Sequence, residues 1–254
     1  KNSVAVEDEA MKPLYQAAKY NNIHIVIGIN ERGSSYGEIY NTNLIINNHG
    51  EIIGKHRKLV PTWAEKLTWT SGDGSSLKIY DTEVGPIGTL ACGENTNTLA
   101  RFTLLAQGEL IHIANYISLP VAPPDYNMAE AIKIRAAAHS FEGKLFTIVS
   151  CSTISQEIKD VLREDVPNVD ELLTRKNSAF SGFIGPNGAT IGEPLIDEEG
   201  MVYADIDLEK CIQPKQMHDI LGHYNRFDIF DLRVNIAPTR KITFIDNHED
   251  FNNK

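Results

Sequence analysis

The run His24-Ile25-Val26-Ile27-Gly28-Ile29 is apolar without polar alternation. That pattern marks a strand covered on both faces, which calls for layers above and below it. Further apolar runs at Pro86–Ala91, Leu110–Ala114 and Phe146–Ser150 predict more strands. Helical spacing separates them: residues 7–20, with Pro13 as a natural start, then 98–108, then 127–142 with Ile132, Ala136 and His139 on one side. Turn-forming centres at Asn48-His49-Gly50 and Gly185-Pro186-Asn187-Gly188 predict hairpins over 40–58 and 181–194. Strands are also expected at 77–81, 201–207, 230–235 and 242–245, a short helix within 208–223, and helical pieces on either side of Pro167 in the polar stretch 153–177. Alternating strands and helices, interrupted by hairpins, imply a mixed sheet or two sheets packed face to face with helices outside.

A net charge of −10 argues against nucleic acid or an anionic membrane as the main partner. No apolar run approaches the roughly 20 residues of a membrane span. Cys92, Cys151 and Cys211 are odd in number and widely spaced, so they form no disulfide framework and point to a reducing, cytoplasmic setting. The eight histidines show no ligand spacing for a metal. Gly50-Glu51-Ile52-Ile53-Gly54-Lys55 is one residue short of the phosphate-loop spacing and sits in hairpin pattern; Gly72-Asp73-Gly74-Ser75 reads as a turn.

The segment Thr89-Leu90-Ala91-Cys92-Gly93-Glu94-Asn95 carries more chemistry. A strand ends at a thiol and a helix follows, so the thiol lies beside free N–H groups that favour a thiolate and can bind an oxyanion. The bland alternative is a small buried hydrophobe, the reading that holds for Cys151 and Cys211. Upstream, His56-Arg57-Lys58-Leu59-Val60-Pro61-Thr62 ends a strand with basic residues. If Ile53 faces inward, so do Lys55 and Arg57, leaving Lys58 outward with Gly54 and His56. Glu65 follows among Trp63 and Trp69, surroundings that suit either proton transfer or a plain surface carboxylate.

Together these stretches resemble the nitrilase branch of the carbon–nitrogen hydrolases. The resemblance rests on the 56–62 segment with Glu65, on Cys92-Gly93-Glu94-Asn95 with Leu99-Ala100-Arg101, on Gln107-Gly108-Glu109, and on Gly222-His223-Tyr224-Asn225-Arg226 with Asp228. Tyr40-Asn41-Thr42 and Gly72-Asp73-Gly74 also match, and the similarity runs in order from about Lys1 to Asn235. It implies one hydrolase domain over residues 1–254, a four-layer α-β-β-α sandwich, with a tail from about 236. It also implies Cys92 as nucleophile, Lys58 as the cation facing the developing anion, Glu65 as a supporting glutamate and the Gly93 N–H as an oxyanion donor. No cofactor or metal is implied. The implied substrate is an organic nitrile, with Trp63, Tyr116 and the 121–126 loop as pocket walls. The implied assembly is a homodimer that builds larger oligomers or spirals.

Two departures from the family pattern stand out. Glycine follows Cys92 where tryptophan is common, and the family's early Phe-Pro-Glu strand, which supplies its general base, has no counterpart here. The expectation is therefore an N-terminally truncated domain. An amidase or N-carbamoyl hydrolase, or an inactive homologue acting only in assembly, are the alternatives.

Overall fold

A computed structural model describes residues 2–34, 37–118, 125–165, 169–240, 242 and 243. After a single 3-10 turn, α1 (Lys12–Asn21) begins with Pro13 in its first turn, where a missing N–H is harmless. It ends at Asn22 in the left-handed conformation. The strands β1 (Ile25–Arg32), β2 (Ile39–Ile46) and β3 (Ile52–Arg57) form an antiparallel meander.

The second sheet has the order β4-β5-β6-β7-β8. Here β4 (Ile87–Ala91), β5 (Ile111–Tyr116) and β6 (Phe146–Cys151) are parallel, joined through α2 (Thr98–Leu105) and α3 (Met128–Gly143). The hairpin of β7 (Phe180–Ile184) and β8 (Thr190–Ile196) then adds antiparallel strands. The polar insertion holds α4 (Gln156–Asp165) and α5 (Val169–Leu173), on either side of Pro167 as expected.

The two sheets pack face to face. Val26 of β1 lies on Ile87, Ile111 and Ile113 of the second sheet. Met11 and Ala18, from α1 and the turn before it, cover the outer side of the meander with Leu44 and Ile46. α2 packs Ala100 and Leu104 on Leu90, and α3 packs Ile132 and Ala136 on Ala114, Val149 and Phe180. This is the expected α-β-β-α layering. A polar stitch crosses the central seam: Asn43 Nδ2 donates to Thr89 Oγ1 at 2.6 Å, and Asn115 Nδ2 donates to Asn43 Oδ1 at 3.1 Å.

Some expected elements do not form. Residues 77–81 contribute only an isolated bridge, Tyr80 to Ile87. Residues 201–207 and 230–235 are irregular, and the expected helix within 208–223 is two short 3-10 turns. Of the 242–245 strand only 242 and 243 are described, and they are irregular. Met201, Tyr203, Phe230 and Leu232 are exposed: β-propensity without a partner strand leaves a segment extended but unpaired.

Candidate active site

β4 is buried along its whole length and delivers the chain to Cys92 inside the molecule. Cys92 has φ 54°, a left-handed conformation that costs a non-glycine residue about 1–2 kcal/mol. It opens a 3-10 turn, Cys92–Thr96, and only then does Asn97 cap α2 through the N–H groups of Leu99 and Ala100. The helix begins at Thr98, as the spacing predicts, and the 3-10 turn that separates it from the thiol supplies the N–H groups nearest the sulfur in place of the helix start.

Glu94 fastens this turn to the end of β3. Its carboxylate accepts from the Ala91 N–H (3.0 Å), the Leu59 N–H (2.8 Å) and His56 Nε2 (2.7 Å). Burial opposes charge on His56, yet the neighbouring Glu94 carboxylate raises its pKa. Burial likewise works against the Glu94 anion, but His56 and the backbone donors hold its pKa below the ordinary value. Both shifts describe a buried ion pair, and its bonds flank Lys58 on either side.

Lys58 itself is 1% exposed. Its Nζ donates to Glu65 Oε2 at 2.5 Å, and Glu65 also accepts the Thr62 N–H. The orientation conditional on Ile53 facing inward is thus reversed. Gly54, His56 and Lys58 form the inner face of β3, because Glu94 and Glu65 neutralise the two cations there and Gly54 gives room to the Tyr80 ring. A Cβ on Gly54 would come within 2.1 Å of that ring. Lys55 and Arg57 face the other side, where both bond the buried Glu31 and Arg57 stacks on Tyr40. Burial alone would raise the Glu31 pKa, but those bonds and Thr42 bring it down to about 2.

A cavity of about 490 Å³ opens between the sheets. Cys92, Glu65, Trp69, Tyr116 and Cys151 line it, with β1 forming one wall. The sequence-predicted residues Cys92, Glu65 and Tyr116 thus meet at one cavity, with Lys58 bonded to Glu65. Trp63 does not: it is 82% exposed at the head of its 3-10 turn and is absent from the cavity lining, which corrects its assignment as a pocket wall. Trp69 lines the cavity instead, its indole donating to Asn30. In the 121–126 loop, residues 121–124 lie outside the described residues.

Cys151 also differs from its reading as an inert core thiol, since it is half-buried and lines the cavity; Cys211 is buried as expected. Burial pushes the Cys151 thiol up to about 12. Ala91 pairs with Asn115, and Tyr116 with Cys151, so about two strand spacings, roughly 9–10 Å, separate Cys92 from Cys151. That is too far for a disulfide.

Glu94 and Asn95 brace the cysteine turn through buried hydrogen bonds, and sequence reasoning undervalued both. The motif places both beside Cys92, and an acid at the third position of a turn is a recognisable cap.

The residues matching the carbon–nitrogen hydrolase family model are 1–216. The chain belongs to the carbon–nitrogen hydrolase family. Within it, this hydrolase falls in the nitrilase branch: it is 32% identical over 256 residues to a nitrilase from Penicillium rubens, covering 98% of this chain and 76% of that protein. It is 33% identical to nitrilase 3 of Arabidopsis thaliana, over 100% of this chain and 72% of that one. An aliphatic nitrilase of Rhodococcus rhodochrous is 30% identical over 95% of this chain and 66% of its own length. The chain therefore spans about two thirds to three quarters of these curated relatives. Among solved structures, a carbon–nitrogen hydrolase from Helicobacter pylori superposes with TM-score 0.66 at 22% identity, over 83% of this chain and 70% of that one. The C. elegans NitFhit protein superposes with TM-score 0.72 at 18% identity, over 93% and 54%.

Proposed function

We propose that this protein is a nitrilase that hydrolyses an organic nitrile to the carboxylic acid and ammonia, with Cys92 as nucleophile. The observation that carries the reading is a strained cysteine facing a cavity that it shares with Glu65, the carboxylate bonded to the buried Lys58. The nitrilases among its relatives support the nitrile over other carbon–nitrogen substrates.

The sulfur attacks the nitrile carbon and forms a thioimidate, its proton passing to a carboxylate base. Lys58 and the Gly93 N–H favour the charge that builds on nitrogen. Water adds to the thioimidate carbon, ammonia leaves, and a second water releases the acid and the thiol. Glu65 is the carboxylate that lines this cavity, and it orients the Lys58 ammonium. The exposed apolar side chains Leu99, Phe227, Phe230 and Ile236 suit the proposed homodimer, which light scattering would test.

The test is ammonia release by the full-length protein from a panel of aliphatic and aromatic nitriles and their amides. Cys92→Ala should abolish it, and intact mass should show a covalent adduct on the native protein alone. Turnover surviving in Cys92→Ala, or confined to amides, rules the reading out.

A further inference from the structure

Behind the cysteine turn lies a buried polar cluster that the proposed chemistry leaves unused. Glu109, His112 and His139 are each at most 1% exposed. Glu109 Oε1 meets His112 Nδ1 at 2.7 Å, and Glu109 Oε2 meets His139 Nε2 at 2.8 Å. The other His112 nitrogen, Nε2, meets Asn95 Oδ1 at 2.7 Å. Asn95 Nδ2 then donates to the Cys92 carbonyl at 2.9 Å and to the Leu90 carbonyl at 3.2 Å. All three side chains have metal-ligand chemistry, but their atoms contact one another at hydrogen-bond spacing.

The proton directions follow from the groups themselves. Carbonyl oxygens only accept, so the Asn95 end facing Leu90 and Cys92 must be the NH2. Its oxygen therefore accepts, and His112 Nε2 must carry a proton. A second proton lies between His112 Nδ1 and Glu109 Oε1. His139 donates through Nε2, and its Nδ1 has no partner among the described residues, as a neutral imidazole allows. Burial, and then the charge of His112, bring the His139 pKa down to about 4, in keeping with that assignment. Donation thus runs from His112 through Asn95 to the carbonyl of Cys92. Space has been made for the anchor: a Cβ on Gly88 would fall 1.9 Å from Glu109 Oε1.

We propose that Glu109, His112 and Asn95 are positioning residues, a hydrogen-bond relay that holds the Cys92 carbonyl and so keeps the nucleophile in its left-handed conformation. The relay acts through bond connectivity and not through charge. The inference rests on the reading of Cys92 as nucleophile.

Glu109→Gln separates the two modes, because a glutamine can donate to His112 Nδ1 and accept from His139 while removing the charge. Asn95→Asp keeps the volume and removes the donor to Cys92. The readouts, on full-length protein folded by circular dichroism, are the rate of Cys92 alkylation by iodoacetamide and kcat and KM for propionitrile and benzonitrile. Asn95→Asp and Glu109→Leu should lower the alkylation rate and kcat about 10–100-fold, as misplacement of a reacting group does. KM should stay within about twofold, and Glu109→Gln should stay within about threefold of the native protein in every readout. A purely structural role would lower the melting temperature without changing the alkylation rate of the folded molecules. Native rates in folded Asn95→Asp overturn the proposal, as does a Glu109→Gln as slow as Glu109→Leu. Asn95→Ser, smaller and free of clashes, replaces Asn95→Asp if that variant does not fold. If the native protein turns over neither nitrile, the nitrilase reading fails while alkylation still decides the relay.

Discussion

Replacing Glu94 by glutamine perturbs the seam between the two sheets at one atom. In the native protein one oxygen accepts from the Leu59 N–H and the other from His56 and the Ala91 N–H. A glutamine keeps its oxygen on the two-donor side and turns its NH2 toward the Leu59 N–H. One buried N–H then loses its acceptor, at about 1–3 kcal/mol, and the charge-assisted bond to His56 becomes neutral, for roughly 1 kcal/mol more. The expected loss is about 2–4 kcal/mol, which for a domain of this size lowers Tm by roughly 4–16 °C. Thermal melts followed by circular dichroism across pH test the reasoning further. The raised His56 pKa gives stability that is full below the ordinary value of 6.5 and fades as pH climbs through the folded value. The lowered Glu94 pKa gives stability that is full above its ordinary 4.5 and fades as pH falls through the folded value. The gap between native and Glu94→Gln should thus be widest between those two pH values and shrink on both sides. A gap that widens as pH rises above 6.5, or a Tm within 2 °C of native throughout, refutes the ion pair.

Other substitutions probe separate parts of the site. Cys92→Gly should be more stable than Cys92→Ala by about 1 kcal/mol in thermal melts, since only glycine is at ease at φ 54°; an equal or lower Tm argues against stored strain. Gly54→Ala should destabilise by about 1–3 kcal/mol through its clash with Tyr80, and a double variant with Tyr80→Ala should relieve part of it in a denaturant titration. The Tyr116 hydroxyl is buried with no partner among the described residues, so Tyr116→Phe should not lower Tm; a drop of several degrees would reveal a bond at that hydroxyl. Lys58→Met leaves Glu65 without its cation and should lower kcat at least about 100-fold, with a smaller change in KM, in ammonia-release assays.

Much of this was legible in the chain because apolar runs without alternation report strands covered on both faces. The run ending at Ala91 holds to that rule along its whole length, whereas His24–Ile29 forms its strand but stays only half-covered, with Gly28 exposed where β1 walls the cavity. The α3 stripe of Ile132, Ala136 and His139 is buried as its spacing implies. What could not be read was the facing of β3. Periodicity assigns the apolar Ile53 inward, whereas the structure buries His56 and Lys58, because their carboxylate partners arrive from 38 and 7 residues along the chain. The relay through His112 is hidden for the same reason, since one imidazole joins Glu109 on its near side to Asn95, 17 residues upstream. Trp63 misled because an indole in a loop suggests a pocket wall, while the left-handed turn at that residue aims it at water.

The two sheets also differ in how far apart in sequence their strands lie. The meander β1–β3 is built from neighbours, whereas β4, β5 and β6 pair only after helical crossovers. Local pairing closes fast and parallel pairing slowly, so the meander carrying Lys58 is expected to fold ahead of the sheet carrying Cys92. Lys58 and Cys92 thus lie on different halves of the chain, and the stretch between them, residues 78–86, has no regular strand or helix. Cutting there would yield two fragments whose reassembly could be followed by the return of Cys92 reactivity, making the thiol a reporter of sheet docking.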